Sequence, residues 1–195
     1  MPILPRESDR YPENLFSIPP SAGDEEQPRW QVLHTRPRQE KSLSRQLSSA
    51  RIGFYLPLAT KPSLVRGKRV NGYLPLFPGY VFLYATHDET AQAFDVGTGR
   101  IVQRLPVLNQ KKLWADLSQI QKLIDTEEPI HPEESLEPGE LVKVKEGSLA
   151  GLCGRIIRKA SGSRFVVALD FLQRGASVLL DGSNLIPTGS YAPIE

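Results

Sequence analysis

Residues 126–136, TEEPIHPEESL, hold two prolines and four glutamates and no pattern that favours a buried element. A stretch of that kind reads as a linker, and it divides a chain of 195 residues into two bodies of different texture. Beyond Pro138-Gly139 the sequence runs as LVKVKEG, LCGRIIRKA, SRFVVALDF, ASVLLDG and SNLIP. Five short apolar runs separated by glycines predict a small antiparallel β-barrel over residues 137–190, with 191–195 as a short tail.

Before the break the pattern mixes periods. WQVLHT from Trp30 alternates as a strand, and after Pro37 a helical stripe follows through Leu43, Leu47 and Ala50 to a stop near Gly53. Phe54–Leu56 reads as a short strand and 63–70 as a hairpin or loop around Gly67. Tyr80–Tyr84, YVFLY, is the most strand-like run in the chain, being β-branched and aromatic between Pro78-Gly79 and His87-Asp88. A short helix over 89–96, a strand over 101–105 and a helix over 111–124 complete the order β-α-β-β-α-β-α. That order predicts an α+β fold over residues 29–125, with helices packed on a mostly antiparallel sheet. Residues 1–28 carry six prolines and few periodic apolar positions, so they read as a disordered tail.

Charge is distributed in blocks. The formal total is +2, yet residues 1–28 sum to −4, 29–125 to +9, 126–136 to −4 and 137–195 to +1. A basic body with acidic flanks suits either a nucleic-acid backbone or an acidic protein surface, and ordinary solubilising charge gives the same count. The acidic tail is placed to screen the basic body. No apolar run reaches the length of a membrane span, and the first residues lack the basic-then-apolar order of a secretory signal. One cysteine, Cys153, permits no intrachain disulfide and points to a reducing, cytoplasmic setting. Its apolar surroundings mark it as a packed small residue. With three scattered histidines, no zinc site is expected. Neither a phosphate-cradling glycine loop with its lysine nor a nucleophile elbow is present, so no cofactor and no enzymatic activity are expected.

Two segments are more specific. Arg66-Gly67-Lys68-Arg69 is followed by Pro75-Leu76-Phe77-Pro78-Gly79-Tyr80-Val81-Phe82, and Glu137-Pro138-Gly139-Glu140-Leu141-Val142-Lys143-Val144 runs into Glu146-Gly147-Ser148-Leu149-Ala150-Gly151-Leu152-Cys153-Gly154. In this order, with Trp30 opening the first strand and Glu40 in the first helix, the chain resembles the NusG family of transcription elongation factors over roughly residues 29–190. RGKR before PLFP is closer to the specialised RfaH-type paralogues, while Asp170–Gly175, DFLQRG, is closer to the housekeeping factor.

The resemblance implies an NGN domain with a PGY strand, then a flexible linker and an SH3-like KOW barrel. It implies a monomer that binds the clamp helices of bacterial RNA polymerase and modulates pausing, termination or antitermination without catalysis. Tyr80 and Phe82 lie two apart on one strand and share a face, which is either domain core or the apolar cavity that takes the partner helix. His34 and Val107 match further cavity positions of RfaH-like proteins. Arg66, Lys68 and Arg69 surround a glycine at a hairpin tip, either as a solvated basic loop or as contacts to non-template DNA phosphates. Phe171, Leu172 and Arg174 match the barrel loop that engages ribosomal protein uS10 or Rho. The alternative from another class is an RNA- or ribosome-binding protein that uses the barrel on RNA; the barrel's charge of +1 argues against it.

Overall fold

The computed structural model describes residues 7–17, 19, 26–65, 68–126, 128–133, 139–159, 162–179 and 185–188. They form a mixed α/β structure of antiparallel sheets and few helices, divided into compact units at Met1–Trp114 and Ala115–Glu195. The division falls inside a helix that the sequence period places correctly. No helix among the described residues is long and apolar enough to cross a membrane.

The first unit contains β1 (Arg10–Tyr11), β2 (Arg29–Thr35), α1 (Glu40–Ser49), β3 (Gly53–Tyr55), β4 (Leu58–Val65), β5 (Lys68–Pro75), β6 (Tyr80–Ala85), α2 (His87–Val96) and β7 (Ile101–Pro106). Helix α3 (Gln110–Asp125) starts here and ends in the second unit. The main sheet has the order β1-β3-β6-β2-β7, and β4 and β5 form a separate ribbon from Leu58 to Pro75, longer than the hairpin expected over 63–70.

Strand alternation assigns the two faces of this sheet. Leu33, Val81, Leu83 and Ala85 face one side, where they form a core with Phe54 and with Leu43 and Leu47 of α1 and Ala93 of α2. Helix α1 begins at Glu40 rather than Pro37, because Arg38 takes a positive φ of 63° and breaks the helical run. Helix α2 begins at His87, two residues earlier than expected. A capping box sets that start: the Thr86 side chain accepts from the Glu89 amide and the Glu89 carboxylate accepts from the Thr86 amide at 2.8 Å.

The amino-terminal stretch departs from the expectation of disorder. Arg10↔Tyr55 and Tyr11↔Phe54 pair β1 to the edge of β3, and the Leu56 amide donates to the Asp9 carbonyl at 2.6 Å. Leu15 is buried, and Glu7 pairs with Arg45 at 3.0 Å. The prolines and acids that lower the mean hydropathy of this stretch hide three apolar anchors, Tyr11, Leu15 and Phe16, and anchors of that kind suffice for edge-strand addition.

The second unit carries the remainder of α3, β8 (His131–Glu133), β9 (Glu140–Val144), β10 (Cys153–Lys159), β11 (Gly162–Leu169), a 3-10 turn over Asp170–Leu172, β12 (Arg174–Leu179) and β13 (Leu185–Pro187). The sheet order is β13-β9-β10-β11-β12-β8, antiparallel throughout. Leu117, Ile120 and Leu123 of α3 are buried, and the Gln119 Oε1 accepts from the Cys153 amide at 2.7 Å. The segment read as linker thus contributes a strand: His131–Glu133 add to the edge of β12, where Ser177 Oγ donates to Glu133 Oε1 at 2.7 Å.

Candidate protein-docking face

The sheet face opposite α1 and α2 is aromatic. In the register of β2 with β6, Trp30 opposes Tyr84, Val32 opposes Phe82 and His34 opposes Tyr80; β3 adds Tyr55 opposite Phe82. Cross-strand partners lie on one face, so six rings and a valine occupy one surface. The His34 and Tyr80 rings stack at 5.3 Å and 30°, and both stay partly exposed. Phe82 is 0% exposed, held between Tyr55 at 6.4 Å and Phe77, whose ring meets it edge-on at 6.1 Å. Trp30 and Tyr55 are buried as well, and Tyr84 packs on Trp30 at 5.1 Å. Burial raises the Tyr84 phenol above its ordinary pKa.

The loop before β6 delivers Tyr80. Gly79 has φ +86°, a conformation that side chains rarely adopt, and its amide donates to Glu40 Oε1 at 2.7 Å while its carbonyl accepts from the Thr35 amide at 2.8 Å. Glu40 is buried at the first residue of α1, so one carboxylate ties a helix start to the loop. Val107 lies elsewhere. It follows β7 and lines an open groove of about 490 Å³ with Trp30, Arg104, Leu108 and Gln110. The Gln110 side chain accepts from the Trp30 amide at 2.6 Å and donates to the Trp30 carbonyl at 2.9 Å and the Val107 carbonyl at 3.0 Å. The structure therefore brings His34, Tyr80 and Phe82 together and sets Val107 at the Trp30 end of the same strand.

Of the basic residues singled out in the sequence, Arg66 lies outside the described residues, and for Lys68 and Arg69 only the backbone at the start of β5 is described. Other cations gather near the start of α1, where Arg36 and Arg100 line a second open groove with Pro37, Gln39, Thr98 and Gly99. In the second unit, Phe171 is 39% exposed and Leu172 partly buried within the turn from β11 to β12, and Arg174 opens β12 opposite Leu169. Asp170 in that turn pairs with Arg155 at 3.6 Å.

Sequence reasoning missed Trp30, Tyr55, Phe77 and Phe16 as parts of the aromatic face. Alternation in WQVLHT already places Trp30 with His34, so that signal was present. Tyr55 depends on the β3–β6 register, which no local pattern encodes.

Residues 28–124 match the family model described as transcription termination factor NusG. The chain belongs to the NusG family. Among solved structures, it is similar to one titled "Domain interaction in Thermotoga maritima NusG", at 17% identity and a TM-score of 0.48, covering 85% of this chain and 99% of that one. It is also similar to a chain of the MjSpt4:Spt5 complex, at 16% identity and a TM-score of 0.28, covering 81% and 98% respectively. Among curated proteins, none matches the sequence.

Proposed function

We infer that this chain is a transcription elongation factor whose amino-terminal unit, as an NGN domain, binds the clamp helices of bacterial RNA polymerase through the aromatic face. One observation carries the reading: Tyr80 and His34 stack on each other and stay partly exposed on a sheet face that the domain's own α1 and α2 do not cover. A helix laid on exposed aromatics gains contact area at low entropy cost. Bridging the clamp disfavours the opened states that pause, which shifts populations toward elongation and antitermination without any bond made or broken. The chain acts as a monomer in the cytoplasm, with no catalysis. Arg66, Lys68 and Arg69 are the proposed contacts to non-template DNA. The carboxy-terminal strands act as a KOW barrel that recruits ribosomal protein uS10 or Rho through Phe171, Leu172 and Arg174.

The test is binding of the full chain to bacterial core RNA polymerase at two salt concentrations, comparing wild type with folded Tyr80→Ala. The substitution is expected to cost about 1–3 kcal/mol, the range of a docking aromatic. A folded wild-type chain that does not bind would move the reading to the RNA-binding alternative.

A further inference from the structure

Phe16 lies on the aromatic face. Its ring stacks on Trp30 at 5.9 Å and 12°, and meets Tyr55 edge-on at 4.9 Å. Leu15 beside it is buried, while Phe16 itself keeps part of its surface in solvent. The face thus has two halves. His34 and Tyr80 form a partly exposed half, and Trp30 and Tyr55 form a buried half capped from within the chain.

We propose that residues 7–17 act as an intramolecular strap, with Phe16 occupying the part of the docking face that a polymerase helix must take for full engagement. The proposal rests on the clamp-binding reading above. A helix with its side chains is about 10–12 Å across. Trp30 is four residues from His34 along β2, about 13 Å at strand rise. Tyr55 stands on β3, the neighbour of the strand that carries Tyr80. A helix seated on Tyr80 and His34 that runs along β2 reaches Trp30, and one that runs across the strands reaches Tyr55. Both paths meet Phe16.

The polar hold of the strap is limited: two residues pair with the β3 edge, Leu56 donates to the Asp9 carbonyl, and Glu7 pairs with Arg45, while Leu15 is buried. Against these, Trp30 Nε1 is buried with no hydrogen-bond partner among the described residues. An unsatisfied buried donor destabilises the state that contains it, so lifting the strap returns this indole N–H to water or to a partner's acceptor. Trp30 Nε1 is of particular use, because an incoming helix side chain with an oxygen acceptor can satisfy it and Phe16 cannot. Strap and helix therefore compete, and apparent affinity is lowered by the fraction of chains that are capped.

The experiment measures binding of the full chain to bacterial core RNA polymerase for wild type, Phe16→Ala and Phe16→Ala/Tyr80→Ala, each first shown to be folded by its thermal melt. Amide exchange of wild type is followed with and without polymerase. The strap predicts binding about fivefold or more tighter for Phe16→Ala, through the larger uncapped fraction. It also predicts that the Leu15, Ser17 and Leu56 amides, bonded in the free chain to Pro12, Asn14 and Asp9, lose protection when polymerase binds. Equal or weaker binding by Phe16→Ala that still responds to Tyr80→Ala overturns the strap and leaves the clamp reading standing. Absence of binding by both wild type and Phe16→Ala, or binding indifferent to Tyr80→Ala, overturns both. If Phe16→Ala does not fold, the wild-type exchange decides alone: lost protection at those amides supports the strap, and unchanged or increased protection refutes it.

Discussion

Replacing Glu40 tests how the aromatic face is held in place. Its Oε1 receives the Gly79 amide at 2.7 Å from a buried position at the start of α1, and the next residue after Gly79 is Tyr80. In Glu40→Ala that amide loses its acceptor, which costs about 1–3 kcal/mol when the donor is left in a poorly solvated place. Loss of a carboxylate in the first helical turn adds about 0.3–1 kcal/mol. Side-chain freedom regained by the smaller residue offsets part of this, so a net loss of about 2–3 kcal/mol is expected. Glu40→Gln keeps a carbonyl oxygen for the Gly79 amide and loses only the charge, at about 1 kcal/mol. Urea unfolding of the full chain followed by tryptophan fluorescence reads both, with midpoints compared at equal slope. The ordering is the sharp part. A Glu40→Ala chain within 0.5 kcal/mol of wild type, or a Glu40→Gln chain as damaged as Glu40→Ala, refutes the view that this hydrogen bond positions the loop.

Three further outcomes are expected. Thr86→Ala removes the hydroxyl that accepts the Glu89 amide in the capping box of α2, and is expected to lower stability by about 1 kcal/mol in the same urea assay. Gly154→Ala places a Cβ 2.5 Å from the Val166 carbonyl oxygen and 2.8 Å from two ring carbons of Phe165. Backbone on a paired strand gives little, so a loss of about 1–3 kcal/mol or more is expected, and a neutral melt would refute a rigid approach of β10 to β11 at this position. Tyr84 has its pKa raised by burial, so above about pH 10 the unfolded chain releases the phenol proton before the folded one does. The stability it contributes is full below that pH and falls as pH rises toward the folded-state value; Tyr84→Phe flattens this slope in a pH series of urea midpoints.

Rings on the aromatic face differ in what their substitution costs. Tyr80 and His34 are partly exposed, so loss of either ring costs less stability than loss of Phe82 and acts more on binding. Phe82 is fully buried beneath Tyr55 and Phe77, so truncating it opens a cavity and costs stability first, about 3–5 kcal/mol for a large aromatic. A loss of polymerase binding in a Phe82 variant would therefore carry weight only alongside an intact melt.

Much of the architecture was legible locally. Alternation in WQVLHT and YVFLY, the stripe through Leu43 and Leu47, and the glycine-separated strands beyond residue 139 each depend on a side-chain period within one element. Period and turn chemistry are properties of neighbours in the chain, which is why strands β2 and β6, helix α1 and the antiparallel character of the second sheet follow from them. The same local signals place Tyr80 with Phe82 on one face. They say nothing of which of the two is covered, because that depends on Tyr55 and Phe77 arriving from other strands and loops.

Composition misled at both edges. Residues 1–28 and 126–136, the segments that hold these two strands, are rich in proline and acid, and averages of that kind read as disorder or linker. An edge strand needs little more than two or three residues of free backbone and a receptive neighbour. β3 offers that edge to Arg10–Tyr11, and β12 offers it to His131–Glu133. The period of a strand belongs to the sequence, whereas the availability of a sheet edge, and the ring that caps Trp30, exist only once distant segments have been brought together.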